Sequence, residues 1–257
     1  MLLYRLGPEG FYAATDGEGD LRYLHSDPFE TWPGGWEYGH RVPEGRQLPM
    51  VPVRPSKIVG VGRNYRAHAA ELGNPMPEEP LLFLKAPSSL IGPKTPVVLP
   101  RESSRIEYEG EIAVVLRDRV SRVSAEDARA AILGVTCACD VTARDLQRSD
   151  ATFARGKSID TFCPLGPAIA VGSDLEDLEV STRINGEERQ QGHVRSMEWG
   201  ITELISYIST YMTLEPGDVV LTGTPEGVGP LAPGDRLEVE VSAVGILENP
   251  VEPWQRD

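Results

Sequence analysis

Short strand-like runs, cut by Gly- and Pro-bearing turns and seldom alternating with helical stretches, are what most constrain the fold of this chain. Ile106–Leu116 (IEYEGEIAVVL) alternates as a strand does. Lys57–Val61, Leu81–Lys85 and Val97–Leu99 are shorter runs of the same kind. EPGDVVLTGTP and APGDRLEVEV each lead a strand out of a P-G-D turn. Helical spacing marks three stretches besides Asp140, Arg144 and Gln147, which fall four and seven apart. Asn64–Leu72 is followed by Gly73 as a C-cap and Pro75 beyond it. Ser124 with Asp127 caps a helix expected to run through Leu133. Trp199, Ile201, Leu204, Ile205, Ile208, Tyr211 and Met212 trace one face of a helix over 198–213. Strands that do not alternate with helices argue against a doubly wound parallel sheet and for a β-rich α+β fold.

The 257 residues suffice for one large domain, or one with a small companion. Residues 1–52 read as the companion, a small β-rich domain. Its apolar runs Met1–Leu6, Phe11–Ala14 and Leu21–Leu24 are divided by turns such as DGEGD. The irregular stretch WPGGWEYGH follows, and VPVRP serves as the linker into a main domain spanning 53–257.

A formal charge of −14 leaves no basic stripe for phosphates, so nucleic acid and anionic membrane surfaces are poor partners. The same field repels anionic substrates unless local cations reverse it. Three cysteines, Cys137, Cys139 and Cys163, do not make a disulfide framework and fit a reducing, cytoplasmic setting. The opening MLLYRLGPEG is too short in apolar run for a signal peptide, and no stretch approaches a membrane span.

Within IEYEGEIAVVL, residues two apart share a face at roughly 6.6 Å spacing. Glu107, Glu109 and Glu111 therefore project together. A solvent-facing strand explains them equally well. Gly110 interrupts the apolar series, as a Gly at a bulge or a close approach does. Asp140 ends the apolar run ILGVTCAC, where an acid needs a partner, a metal or a helix to cap. Glu109, Glu111 and Asp140 together would form an all-oxygen site suited to Mg²⁺, Mn²⁺ or Ca²⁺ and not to Zn²⁺. Such a site leaves open positions for a 2-oxo-carboxylate or β-dicarbonyl, whose enolate a metal stabilises.

Other candidates carry bland alternatives beside the chemical ones. His68 and Glu71, three apart, are a base and its orienting carboxylate or an incidental surface pair. Arg144, with Gln147 behind it, forks onto a substrate carboxylate or pairs with Asp140 or Asp145. Lys157, in the Gly-flanked loop ARGKSIDTF, and Lys85, in FLKAPSS, are charge-neutralising groups or solvated cations. Thr224 offers a hydroxyl and an amide to an anion. LTGTPEGVG lacks the G-K-[ST] of a phosphate loop, and GVGRNY lacks the third Gly of a dinucleotide fingerprint. No G-x-S-x-G elbow marks a serine hydrolase. His25, His40 and His193 read as structural or surface residues.

Taken in order, VGRNYRAHAAELG, PLLFLKAPSSLIGP, IEYEGEIAVVL, CDVTARDLQ, ARGKSIDTFCPLGP, INGEERQ and PGDVVLTGTPEGVG resemble the fumarylacetoacetate hydrolase family over roughly residues 56–248. The resemblance implies a mixed β-sandwich roll, a homodimer, and Mg²⁺ or Mn²⁺, with Ca²⁺ able to stand in for them in crystals. It implies Glu109, Glu111 and Asp140 as metal ligands, and His68 with Glu71 as a water-activating pair on a lid. Lys157 then corresponds to the catalytic lysine, and Arg144, Gln147, Lys85 and Thr224 to substrate-contacting positions. Fumarylacetoacetases proper take a further carboxylate from upstream, whereas RPSKIVGVGRNY holds no acid. The chain thus resembles the short bacterial subgroup of 2-hydroxyhepta-2,4-diene-1,7-dioate isomerases, acylpyruvate hydrolases and oxaloacetate decarboxylases or tautomerases. Its expected substrate is a small dicarboxylic or 2-oxo acid from aromatic-compound catabolism. A non-catalytic Ca²⁺-binding module is the rival from another class.

Overall fold

The computed structural model describes residues 1–31 and 33–255. Trp32 of the WPGGWEYGH stretch and the last two residues of the expected 53–257 domain lie outside the described residues. The fold is β-rich α+β, built on two sheets packed face to face. The larger is mixed and has eleven strands. Its centre runs Cys163–Val171, Ile132–Cys139, Gly110–Leu116, Val219–Leu221, Ile58–Gly62 and Leu81–Lys85. Val219–Leu221 and Ile58–Gly62 pair in parallel, their other neighbours antiparallel. The smaller sheet holds five strands in the order Glu187–His193, Glu179–Ile184, Arg236–Val241, Gly245–Pro253 and Val97–Leu99.

Leu2–Leu6, Phe11–Thr15, Leu21–Leu24 and Tyr38–Arg41 continue the large sheet, with Leu2 and Leu3 paired to Ala170 and Ile169. The N-terminal strands thus share a sheet with the rest of the chain. Leu3, Ala14 and Trp36 share a core cluster with Ile58, Leu133 and Ile169. The stretch expected to be irregular holds a 3₁₀ turn, Pro33–Gly35, and the beginning of the strand Tyr38–Arg41.

The Gly110–Leu116 strand is buried on both faces, which accounts for its near-continuous apolar run. Ile112, Val114 and Leu116 face the smaller sheet among Val180, Val239 and Leu247. Ala113 and Val115 face the opposite way, against Leu133 and Leu165. Burying Ile112, Val114, Val115 and Leu116 stabilises the fold by roughly 1.5–3 kcal/mol each. That holds the strand at the centre of the molecule, and the acids at its start go inside with it.

The helices are short. They are α1 (Arg66–Glu71), α2 (Ala125–Ala130), α3 (Arg144–Ser149), α4 (Ala154–Lys157) and α5 (Ile201–Tyr211). Ser124 caps α2 through the Asp127 amide as expected, but the helix stops at Ala130. Ile132 and Leu133 belong to the next strand, whose pairing with Gly110–Leu116 outweighs helical continuation. α5 is also narrower than 198–213: Ile201, Leu204, Ile205 and Ile208 are buried, while Tyr211 is exposed. No helix among the described residues is long and apolar enough to cross a membrane. All three cysteines are free and buried.

Candidate active site

The segment 106–116 is not one strand. Ile106–Tyr108 pairs with Thr142–Ala143 in a separate three-stranded sheet, and Gly110–Leu116 pairs with Ile132–Cys139 in the large one. Glu109 stands at the change of partner. Opposite it, Asp140 follows the end of its own strand and donates its amide to the Glu109 carbonyl at 2.8 Å. This crossover sets the acids side by side.

Glu107, Glu109, Glu111 and Asp140 are all buried, so the solvent-facing reading of the glutamates is excluded. The Asp140 cap reading fails too, since α3 begins at Arg144 after Ala143. Ligand oxygens of Glu109, Glu111 and Asp140 lie within 4.8 Å of one another. Glu107 is turned away from this group, toward Arg105 (2.5 Å) and Arg144 (2.6 Å).

Three cations surround the cluster. Arg144 bridges Glu107 and Glu109, at 2.5 Å to the latter, and donates to Gln147 at 2.8 Å. It pairs with neither Asp140 nor Asp145; the latter is held by Ser103 and Ser104. Lys157 sits in α4 rather than in a solvated loop, and its side chain is 2% exposed. Its Nζ meets Glu109 at 2.7 Å and also Asp140. A Cβ on Gly156 would lie 2.8 Å from the Gln147 backbone, so only glycine lets α4 close on α3 and bring Lys157 here. Lys85 is wholly buried, donating to Asp140 at 2.6 Å and to the carbonyls of Val141 (3.3 Å) and Lys157. It lies behind Asp140 and does not line the cavity.

The electrostatics divide the acids. Burial opposes the Glu109 charge, but Lys157, Arg144 and His68 outweigh it and hold the carboxyl well below the usual range. Burial also opposes the Lys157 charge, yet Asp140 and Glu109 keep it firmly protonated. Glu111 makes no ion pair among the described residues, although the Lys157 charge favours its ionised form; its hydrogen-bond partner there is the Gly223 amide, at 2.7 Å. Burial, then Asp140 and Glu109, push its carboxyl far upward. A buried carboxylate in that condition is stabilised by a cation between it and its neighbours. With oxygen as its only donor atom, the trio fits a hard divalent ion such as Mg²⁺ or Mn²⁺, for which Glu109, Glu111 and Asp140 would be the ligands.

The carboxylates floor a cavity of about 260 Å³ that is also lined by His68, Arg144, Gln147, Lys157 and Thr224. His68 is buried in α1, its Nδ1 without a hydrogen-bond partner among the described residues and 3.6 Å from Glu71 Oε2. Glu71 does not line the cavity and accepts the Gly227 amide at 3.1 Å. Thr224 Oγ1 donates to the Gly110 carbonyl at 2.8 Å and accepts from Gln190 Nε2 at 2.7 Å.

Two structural residues were not candidates for the site in the sequence analysis. Gln190, buried in an otherwise exposed edge strand, accepts the Gly110 amide at 3.0 Å and donates to Thr224 and Pro225. Asn64, just before α1, donates to the carbonyls of Thr222 (2.8 Å) and Trp199 (3.1 Å) and accepts the Trp199 amide (2.9 Å). An Asn directly after Gly-Arg at a strand exit is the one local signal for the second. Nothing local marks the first.

A model of the fumarylacetoacetate (FAA) hydrolase C-terminal region matches residues 57–252. A crystal structure of 5-carboxymethyl-2-hydroxymuconate delta-isomerase from Mycobacterium smegmatis superposes with a TM-score of 0.89 at 38% identity, covering 99% of this chain and all of that one. A 2-hydroxyhepta-2,4-diene-1,7-dioate isomerase from Mycobacterium marinum does so with a TM-score of 0.88 at 36% identity, covering both chains completely. The mitochondrial oxaloacetate tautomerase FAHD2A of Homo sapiens is 40% identical over 227 residues, which cover 80% of this chain and 72% of that protein. The chain belongs to the fumarylacetoacetate hydrolase family of enzymes.

Proposed function

We propose that this protein is a Mg²⁺- or Mn²⁺-dependent enzyme that acts on small 2-oxo or 1,3-dicarbonyl acids through their enolates. The observation that carries the reading is the convergence of Glu109, Glu111 and Asp140 within 4.8 Å on the floor of one cavity, with Lys157 and Arg144 beside them. A divalent ion there would supply Lewis acidity to a chelating 2-oxo acid.

The chain's own groups divide the remaining work. Lys157, kept protonated by its acidic neighbours, offsets negative charge as it develops on the substrate. Arg144 and Gln147 orient a carboxylate from α3, and Thr224 also lines the cavity. His68 is the proton acceptor facing the cavity, and Glu71 is its orienting partner once the 3.6 Å gap closes around substrate. In C–C hydrolysis His68 takes the proton of the attacking water. In isomerisation a proton moves to or from the carbon beside the carbonyl, and no water is consumed. The isomerase relatives favour 2-hydroxyhepta-2,4-diene-1,7-dioate chemistry, and the tautomerase relative favours oxaloacetate as the second reading. The reading includes a cytoplasmic location and a homodimer, and sedimentation of the purified protein tests the homodimer.

A panel of 2-hydroxymuconate-type dienes, acylpyruvates and oxaloacetate, assayed with Mg²⁺ or Mn²⁺, separates the reactions. Asp140→Ala is expected to abolish both Mn²⁺ binding and turnover. Full activity in that variant, or after exhaustive chelation, would refute the proposal.

A further inference from the structure

The acids and Lys157 occupy the inner end of the cavity; its lining also includes Arg63 and Arg148. Most basic side chains of this acidic protein are paired, yet neither of these makes a hydrogen bond or ion pair among the described residues. Arg148 follows Arg144 by four residues on α3, so it lies on the same helix face about 6 Å further along the axis. Arg144 is buried against Glu109 and Arg148 is exposed, so that direction leads from the acids toward the mouth. Asp150 also lines the cavity, but its carboxylate is engaged by the Arg155 side chain and amide at 2.8 Å.

Arg63 reaches the cavity from the turn between the Ile58–Gly62 strand and α1. Its backbone is left-handed (φ 58°), a conformation that side-chain-bearing residues adopt only when the surroundings impose it. The neighbouring Asn64 is fixed by its side-chain bonds to Trp199 and Thr222. A half-buried arginine in a left-handed backbone, with no hydrogen-bond or ion-pair partner among the described residues, thus lines the cavity.

We infer that Arg63 and Arg148 form a subsite for a second anionic group, a terminal carboxylate at the end of the substrate remote from the 2-oxo acid head. The inference rests on the proposed binding of that head at Glu109, Glu111 and Asp140. Guanidinium forks suit carboxylates, and a charge-assisted pair discriminates against an uncharged tail. Arg63 and Arg148 are therefore specificity-determining residues, and the favoured substrates are 2-oxo dicarboxylic acids over 2-oxo monocarboxylic ones.

The test compares 2-oxoadipate with 2-oxohexanoate, which differ only in a terminal carboxylate against a methyl. Calorimetry with Mg²⁺ present measures both on the wild-type protein and on the R63Q/R148Q variant. The wild type is expected to bind 2-oxoadipate about tenfold or more tightly than 2-oxohexanoate. The variant is expected to lose that preference while keeping its affinity for 2-oxohexanoate. Equal wild-type affinities, or no binding of either acid, overturn the subsite without recourse to a variant. So does a variant that retains the preference or weakens for both acids alike. Failure of every substrate in the turnover panel, with the binding preference intact, would count against the proposed reaction and not against the subsite.

Discussion

Gly110 lies between two of the clustered glutamates, and replacing it tests whether the sheet packing positions them. A Cβ added there would fall 1.9 Å from Thr182 Oγ1, 3.2 Å from Thr182 Cβ and 3.4 Å from Gln190 Oε1. Thr182 is itself fully buried in the Glu179–Ile184 strand, so it has no open space to move into. The two sheets must separate locally, or the Gly110 strand must shift. Such overpacking costs about 1–3 kcal/mol, occasionally more, and the 1.9 Å approach places Gly110→Ala at the upper end. At roughly 2–4 °C per kcal/mol for a chain of this size, the expected fall in melting temperature is about 6–12 °C. Thr182 Oγ1 has no hydrogen-bond partner among the described residues, so Thr182→Ala costs little on its own account beyond a lost methyl. Combined with Gly110→Ala it removes the atom at 1.9 Å and leaves contacts of 3.2 Å to Thr182 Cβ and 3.4 Å to Gln190 Oε1. The double variant should therefore be more stable than Gly110→Ala alone, whereas Gly110→Ala with Thr182→Val should not. Thermal unfolding of the four variants and the wild type forms the cycle. A Gly110→Ala protein within about 0.5 kcal/mol of wild type, or strict additivity with Thr182→Ala, would refute the argument.

Two other outcomes follow from buried charges. Lys85→Met strips Asp140 of a fully buried partner and should destabilise by about 3 kcal/mol in chemical unfolding; adding Asp140→Asn should recover part of it, and an unchanged midpoint in Lys85→Met would show the pair to be inert. Asp218 is held below its ordinary value of 3.8: burial opposes its charge, but Lys57, Ser56 and the amides of Glu215 and Lys57 outweigh burial. A depressed folded value means stability that is present above 3.8 and lost as pH falls through the lower folded value. Asp218→Asn should thus be less stable than wild type at neutral pH, with the gap closing in urea titrations carried to strongly acid pH; a gap independent of pH would contradict this.

How much of this was legible in the sequence depends on the range of the interaction. Gly73 as a helix stop and Ser124 as a cap are decided within a few residues, and both appear as expected. The oddity of Gly110 and the cost of an acid at the end of ILGVTCAC were also legible, because each conflicts with its immediate neighbours. The break at Glu109 was not. It arises because Ile106–Tyr108 and Gly110–Leu116 find different partners, Thr142–Ala143 and Ile132–Cys139, and alternation alone carries no record of partners. Lys85 and Lys157 looked like candidate loop or strand cations for the same reason. Their burial depends on Asp140 and Glu109, which are distant in sequence.

The charge of the chain gains a physical meaning from this placement. A net −14 disfavours the approach of an acid to the molecule as a whole. Surface carboxylates act through water and salt, which screen them within about 10 Å. Lys157 and Arg144 act inside a cavity where screening is weak, and they line it together with Arg63 and Arg148, which have no ion-pair partner among the described residues. Glu109 and Asp140 are already compensated by Lys157, Arg144 and Lys85, so their charges do little to repel a bound anion. Glu111 is the exception, and a divalent ion beside it would turn the inner end of the cavity net positive. On the proposed reading, an anionic substrate would then be attracted at both ends of a site set in a repelling surface, and its affinity would depend on filling both ends at once.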